Sequence, residues 1–268
     1  MILTIALIAV TAIVSYKGFQ DSSFLQQYSF SIHRVREYRE YYRYVTSGFL
    51  HVSWIHLAIN MFVLFAFGSG LEQAFGMVPF LIVYLGSLVG GNALALLIHK
   101  HSYRYTSVGA SGAVSGLIFG SIALDPRLSI FFIPGWIFGA LYVLYTIYAI
   151  RSQKTDVGHA AHLGGALIGM LISILLHPAA IVHNWLAILT IFVPGAALVL
   201  VMIYRPDLIL VDKKNQRKHL SYEDRYNLDK LDRKKQVDKI LEKISEKGIS
   251  SLTGKEKKIL EEYSRSGN

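Results

Sequence analysis

The chain has 268 residues, 53% hydrophobic and 17% charged, with a mean hydropathy of +0.40, a net charge of +9 and no cysteine. The missing cysteine excludes disulfides, zinc–thiolate centres and cysteine nucleophiles, and so little charge is unusual for a soluble domain. Residues 1–204 hold ten Lys/Arg and six Asp/Glu against seventeen and twelve in 205–268, so the positive excess reads as membrane-flanking charge in loops and tail, and nucleic acid is not an expected partner.

A membrane-spanning helix needs about 20 apolar residues. Seven stretches are candidates: roughly 1–16, 52–75, 78–98, 107–124, 129–150, 157–176 and 181–204. The first has neither a basic leader nor an Ala-x-Ala site after it, so it reads as an uncleaved first helix rather than a signal peptide. The connection from about 17 to 50 is long and rich in Tyr and Arg; the others are short. Pro79, Pro126, Pro134 and Pro178 fall near helix boundaries, where proline is tolerated, whereas Pro194-Gly195 sits where it could interrupt the last span. The predicted fold is all-α: a polytopic membrane bundle of about seven spans over 1–204, followed by a small soluble helical tail over 205–268. In that tail Val237, Ile240, Leu241 and Ile244 recur at helical spacing. Gly248 is a C-cap candidate, and Thr253 with Glu256 has capping-box spacing before Ile259 and Leu260. The tail reads as a two-helix hairpin that docks locally, binds a protein partner, or lies on a lipid surface.

Polar residues inside spans are costly and tend to be functional. His56 and Asn60 are four apart, on one face near the start of the second span. Ser111 lies near the start of the fourth, and His159 and His162 near the start of the sixth. Even-numbered spans all run in the same direction, so these residues share one side of the bilayer and a similar depth. A serine hydroxyl becomes a nucleophile when a neighbouring base takes its proton, and histidine is the usual base. His162 is the better placed of the two histidines, sharing a helix face with Gly165 and Gly169. Gly112, Gly116 and Gly120 form a matching series on the fourth span, and small residues at this interval let helices approach closely. Asp125, Asp156 and Glu72 are not placed to orient His162, which favours a Ser–His dyad over a triad. The Ser111 backbone N–H, the His56 imidazole and the Asn60 amide are candidate oxyanion donors. An interhelical hydrogen bond is the structural reading of Asn60.

With these residues in hand, the chain resembles the rhomboid intramembrane serine proteases. The resemblance rests on His56-Leu-Ala-Ile-Asn60, Gly109-Ala-Ser111-Gly112 and Ala161-His162-Leu-Gly-Gly165, in order, on the second, fourth and sixth spans. Tyr42-Arg43 followed by Thr46-Ser-Gly-Phe-Leu-His51 is similar to the family's first-loop segment, and Glu72 matches a structural acid at the end of the second span. The resemblance covers about residues 1–204 and implies Ser111 as nucleophile, His162 as general base, and His56, Asn60 and the Ser111 backbone as oxyanion donors. It implies no cofactor, a transmembrane protein as substrate, and a multi-pass location in a bacterial inner (plasma) membrane. A seventh span matches the subgroup with one added C-terminal helix. Many members carry an aromatic residue four after the nucleophile, stacked on the histidine; here that position is Ser115. The resemblance implies a site open to the outside, which would put the tail there too. The Lys/Arg bias of loops one, three, five and tail points that side to the cytoplasm instead.

Two other readings remain at this point. One is a catalytically inactive relative that binds and escorts membrane proteins, although such proteins usually lack the serine or histidine. The other is a metal site or transporter built on His51, His56, His159 and His162, for which the sequence offers no His-Glu-x-x-His and no intramembrane carboxylate ligand.

Overall fold

The computed structural model describes residues 1–100, 105–152, 158–205 and 208, and in the tail 237, 240, 243, 244, 248, 251–254, 256 and 260. The chain divides into two compact units, Met1–Leu210 and Val211–Asn268.

The first unit is an all-α bundle. Helix α1 (Ile2–Gln20) is followed by three short helices, α2 (Ser22–Tyr28), α3 (Ile32–Tyr38) and α4 (Arg43–Thr46). Helix α5 (Trp54–Val63) passes through a π-turn at Leu64–Gly68 into α6 (Ser69–Phe75), making one apolar helix from 54 to 75. Then come α7 (Met77–Ile98), α8 (Ser111–Leu124), α9 (Gly135–Ser152), α10 (His159–Leu176) and α11 (Ala179–Tyr204). Among the described residues five helices are long and apolar enough to cross a membrane: Ile2–Gln20, Trp54–Phe75, Met77–Ile98, His159–Leu176 and Ala179–Tyr204. Two more, Ser111–Leu124 and Gly135–Ile150, are apolar but shorter.

The shortness of α8 has a packing explanation. Its 14 residues rise about 21 Å, less than a hydrocarbon core of about 30 Å. Every α8 residue is buried except Ser111, Ile118, Ser121 and Leu124, so protein rather than lipid surrounds it. Non-helical backbone beyond its ends is then tolerated at membrane depth. Contact with α10 is backbone to backbone. A Cβ on Gly165 would lie 2.7 Å from the Gly112 carbonyl carbon, and one on Gly169 would lie 2.6 Å from that of Gly116.

The structure departs from the sequence expectations at four places. The connection 17–50 is not simply a loop: besides α2–α4 it contains a strand, Phe30–Ser31 (β1), paired antiparallel with Thr106–Ser107 (β2). Arg43 organises it from a buried position, donating to the carbonyls of Gln26 (2.9 Å) and Ser29 (2.6 Å) and to Glu40 (2.5 Å). The fourth span begins at Ser111 rather than 107, because Gly109 has φ +130 and cannot continue a helix. The fifth begins at Gly135 rather than 129, after a hairpin of Ser129–Ile130 (β3) and Ile133–Pro134 (β4). In α11 the helix runs through Pro194-Gly195, and the irregularity falls at Asn184 (φ −122, ψ 15). The Asn184 amide donates to the carbonyls of Ala123 (3.0 Å) and Leu124 (2.9 Å), which the end of α8 leaves without helical partners.

Glu72 ties the second span to the first. Its carboxylate accepts from the Leu3 N–H (3.0 Å), the Thr4 N–H (2.8 Å) and the Thr4 hydroxyl (2.7 Å), serving the orphan donors at the start of α1.

In the second unit Val237, Ile240 and Leu252 are buried. Gly248, at φ +74, donates its N–H to the Ile244 carbonyl at 2.8 Å. The Thr253 N–H donates to Glu256 (2.7 Å) and the Glu256 N–H to the Thr253 hydroxyl (3.4 Å), the reciprocal pattern of a capping box. Lys243 pairs with Glu256 at 2.9 Å. Leu241 and Ile259 lie outside the described residues.

Candidate active site

Ser111 is the first residue of α8, and its N–H has no intrahelical acceptor. The positive end of the helix dipole lies there as well. Gly109 makes the turn possible, with its N–H donating to the Ser47 carbonyl at 2.9 Å. On α10, His162 sits in the first turn, its N–H bonded to the Gly158 carbonyl at 3.0 Å. Ser111 Oγ and His162 Nε2 are 2.6 Å apart. The glycine contacts between α8 and α10 bring together two residues 51 positions apart in the sequence.

The other candidates converge on the same cavity. It measures about 730 Å³, and its lining includes His56, Asn60, Ser111, Ser115, Tyr142 and His162. Ser53 caps α5 by accepting from the His56 N–H at 3.2 Å, which fixes where the His56 ring leaves the helix. The Asn60 amide donates to the His56 carbonyl at 2.9 Å, a bond within its own helix rather than between helices. One amide proton remains for another acceptor. His56 Nδ1 is buried with no hydrogen-bond partner. A donor orphaned there would cost more than an acceptor, so the ring proton belongs on Nε2, the atom nearer Gly109. A Cβ on Gly109 would lie 3.0 Å from His56 Nε2 and 3.6 Å from Ser111 Oγ. That point is open only because residue 109 is glycine, and a reacting oxygen fits between nucleophile and donor there.

The structure places Gly112, Gly165 and Gly169 at the α8–α10 contact and Gly109 at the turn into Ser111. His159 does not join the Ser111 contact; its ring stands edge-on to those of His162 (6.4 Å) and Tyr145 (6.3 Å). Asp156 lies outside the described residues. Among the described residues there is no group of three or more His, Cys, Asp or Glu able to hold a metal ion.

Two further residues contribute: Tyr142, which carried no clear signal in the sequence, and His51, which the sequence marked only as the end of the first-loop segment and as a metal-site candidate. Tyr142, on α9, walls the cavity where Ser115 leaves space, its hydroxyl facing that of Ser115 and its ring edge-on to Phe119 at 5.2 Å. One tyrosine in an aromatic-rich span has no spacing partner to mark it. His51 is fully buried beside the site. It precedes α5, and burial, with the neighbouring His56 second, pushes it down to about 3, so the ring is neutral.

The rhomboid-domain family profile matches residues 38–179. A second profile, described only as a family of unknown function (DUF6576), matches residues 220–266. The chain is similar to the mouse presenilin-associated rhomboid-like protein, mitochondrial: 37% identity over 132 residues, 46% of this chain and 35% of that protein. It is also similar to the Arabidopsis thaliana rhomboid-like protein 11, chloroplastic, at 32% identity over 53% of this chain and 55% of that protein. With the rhomboid protease AarA of Providencia stuartii it shares 31% identity over 189 residues, 62% of this chain and 66% of that protein. The alignment thus spans about a third of the length of the mouse and human presenilin-associated relatives.

Proposed function

The chain belongs to the rhomboid family of integral membrane proteins, and from that membership we propose that it is an intramembrane serine endopeptidase that cleaves transmembrane segments. The observation that carries this reading is the 2.6 Å contact between Ser111 Oγ and His162 Nε2 in a cavity that also holds His56 and Asn60.

The chemistry follows from those positions. His162 Nε2 accepts the Ser111 proton as Oγ attacks the scissile carbonyl carbon. The carbonyl π electrons move to oxygen, and the oxyanion takes hydrogen bonds from the Ser111 N–H, His56 Nε2–H and the spare Asn60 amide proton. As the C–N bond breaks, His162 returns its proton to the leaving amine. Water then enters, gives a proton to His162 and attacks the acyl carbon; the C–Oγ bond breaks and Ser111 regains its proton. No carboxylate enters this scheme, so His162 acts as a dyad partner. A helical peptide bond is shielded by its own hydrogen bonds, so the substrate helix must unwind locally before its carbonyl reaches Ser111. The bacterial inner membrane is the compartment we propose; of the three relatives described, the Providencia protease aligns over the largest share of the chain.

The test is cleavage of a model transmembrane substrate in proteoliposomes by wild type and Ser111→Ala, with fluorophosphonate labelling of wild type and His162→Ala. Cleavage and labelling by the wild type alone are expected. Equal cleavage by wild type and Ser111→Ala would sink the assignment.

A further inference from the structure

One fully buried histidine links three separate parts of the chain. His51 Nδ1 is 2.9 Å from Ser15 Oγ on α1, and Ser15 Oγ is 2.9 Å from the Phe49 carbonyl. On its other side, the Ala110 N–H reaches His51 Nε2 at 3.4 Å. The His51 ring also stands edge-on to His56, with centroids 4.8 Å apart at 70°.

The partners settle the tautomer. Ala110 has only a proton to give, so Nε2 must accept. A neutral ring then carries its proton on Nδ1 and donates to Ser15 Oγ, and the serine donates in turn to Phe49. Each group in the chain is satisfied, which makes a buried polar network rigid rather than costly. Beside it, the Gly109 N–H is held by the Ser47 carbonyl. Both amides that precede Ser111 are therefore bound to the segment 47–51. The Ser111 amide is the first one left over for a substrate oxygen.

We propose that His51 is a positioning residue of the active site: it fixes the Gly109–Ala110 peptide, and with it the direction of the Ser111 N–H and Oγ, while bracing the His56 ring. It touches no reacting atom. Ser15 carries the restraint to α1, so the first helix takes part in holding the nucleophile. The inference rests on the reading of Ser111 as the nucleophile. A residue that only filled space here would be replaced adequately by phenylalanine. A clamp needs an acceptor for the Ala110 N–H, which glutamine supplies and phenylalanine does not.

The experiment compares His51→Phe, His51→Gln and Ser15→Ala with wild type in proteoliposomes, measuring kcat, KM and the hydrogen exchange of the Ala110 amide. His51→Phe should lose about 100-fold in kcat with KM nearly unchanged, because the donors are misaimed in the transition state rather than the substrate lost. His51→Gln should recover about tenfold of that loss. Ser15→Ala should fall between wild type and His51→Phe. Ala110 exchange should be fastest in His51→Phe and slower in His51→Gln. Unchanged kcat and exchange in His51→Phe would overturn the proposal, as would a glutamine variant no better than the phenylalanine one. Should His51→Phe fail to fold, His51→Gln and Ser15→Ala carry the same comparison, and Ser15→Ala equal to wild type in both readouts counts against the clamp. An inert wild type would defeat the protease reading instead, and Ala110 exchange would still decide whether His51 holds the loop.

Discussion

Replacing Gly165 by alanine should separate the Ser111–His162 pair while leaving the bundle assembled. The added Cβ would lie 2.7 Å from the Gly112 carbonyl carbon and 3.0 Å from Gly112 Cα, with the Gly112 carbonyl oxygen nearer still. Non-bonded carbons settle at about 3.5–4.0 Å, so α8 and α10 must part by about 1 Å. Backbone on both sides leaves no flexible group to move aside. Gly112 follows Ser111 directly, and Gly165 lies one turn beyond His162, so the displacement falls on the pair itself. Their 2.6 Å contact would open to about 3.6 Å, outside hydrogen-bond range. A misplacement of about 1 Å costs about 100-fold, or roughly 2.7 kcal/mol of barrier. Overpacking removes about 1–3 kcal/mol of stability, which the bundle should survive. Gly86→Ala is the control: its Cβ would meet the Ile172 Cδ1 at 2.5 Å, the free end of a flexible side chain, with the next atom at 3.9 Å. The assay is cleavage of a transmembrane substrate in proteoliposomes, with circular dichroism to establish that each variant is folded. A folded Gly165→Ala protein cleaving within about threefold of wild type would refute the idea that this backbone contact sets the pair.

Gly109→Ala should abolish cleavage, because φ +130 disfavours alanine and its Cβ would occupy the open point beside His56 Nε2; fluorophosphonate labelling at the wild-type rate would contradict this. Glu72→Ala should destabilise the bundle by about 3 kcal/mol or more, since the buried donors of Leu3 and Thr4 lose their acceptor; a thermal midpoint equal to wild type would count against it. Stability should also depend on pH through His51, which sits at about 3 when folded against an ordinary 6.5. The unfolded chain then binds a proton that the folded chain does not, so this contribution is fully present above pH 6.5 and falls toward pH 3, by at most about 1.4 kcal/mol per pH unit. The slope of unfolding free energy against pH should be shallower in His51→Gln than in wild type, and equal slopes would dismiss the effect.

Much of the site was legible because membrane topology turns span number into direction. Ser111, His162, His56 and Asn60 could be put at one depth before any contact was known, and the glycine intervals marked the two helices that meet. What the sequence did not carry was local backbone and long-range polar detail. Nothing in Gly109-Ala110 tells whether a helix begins at 107 or at 111; φ +130 decides it. The reading of Asn60 as an interhelical bond gave way to a bond within α5, from its amide to the carbonyl four residues back. Pro194 drew attention as a helix breaker, yet the break falls at Asn184, where two unsatisfied carbonyls at the end of α8 reward it. The Ser15–His51–Ala110 connection joins three distant segments, and no periodicity links them.

The short fourth span also bears on what becomes of a cleaved substrate. With the far end of α8 at the opposite face of the bilayer core, its 14 residues would put Ser111, at its first position, about 9 Å inside a core of about 30 Å. A transmembrane segment cut at that depth would keep roughly 21 Å of apolar helix in one fragment, too little to span. Its new terminus would be charged and submerged among apolar tails, a position that costs several kcal/mol. Both halves of such a product are thereby less at home in the membrane than the intact segment was. Thickness mismatch would thus help to draw the fragments apart and out of the cavity.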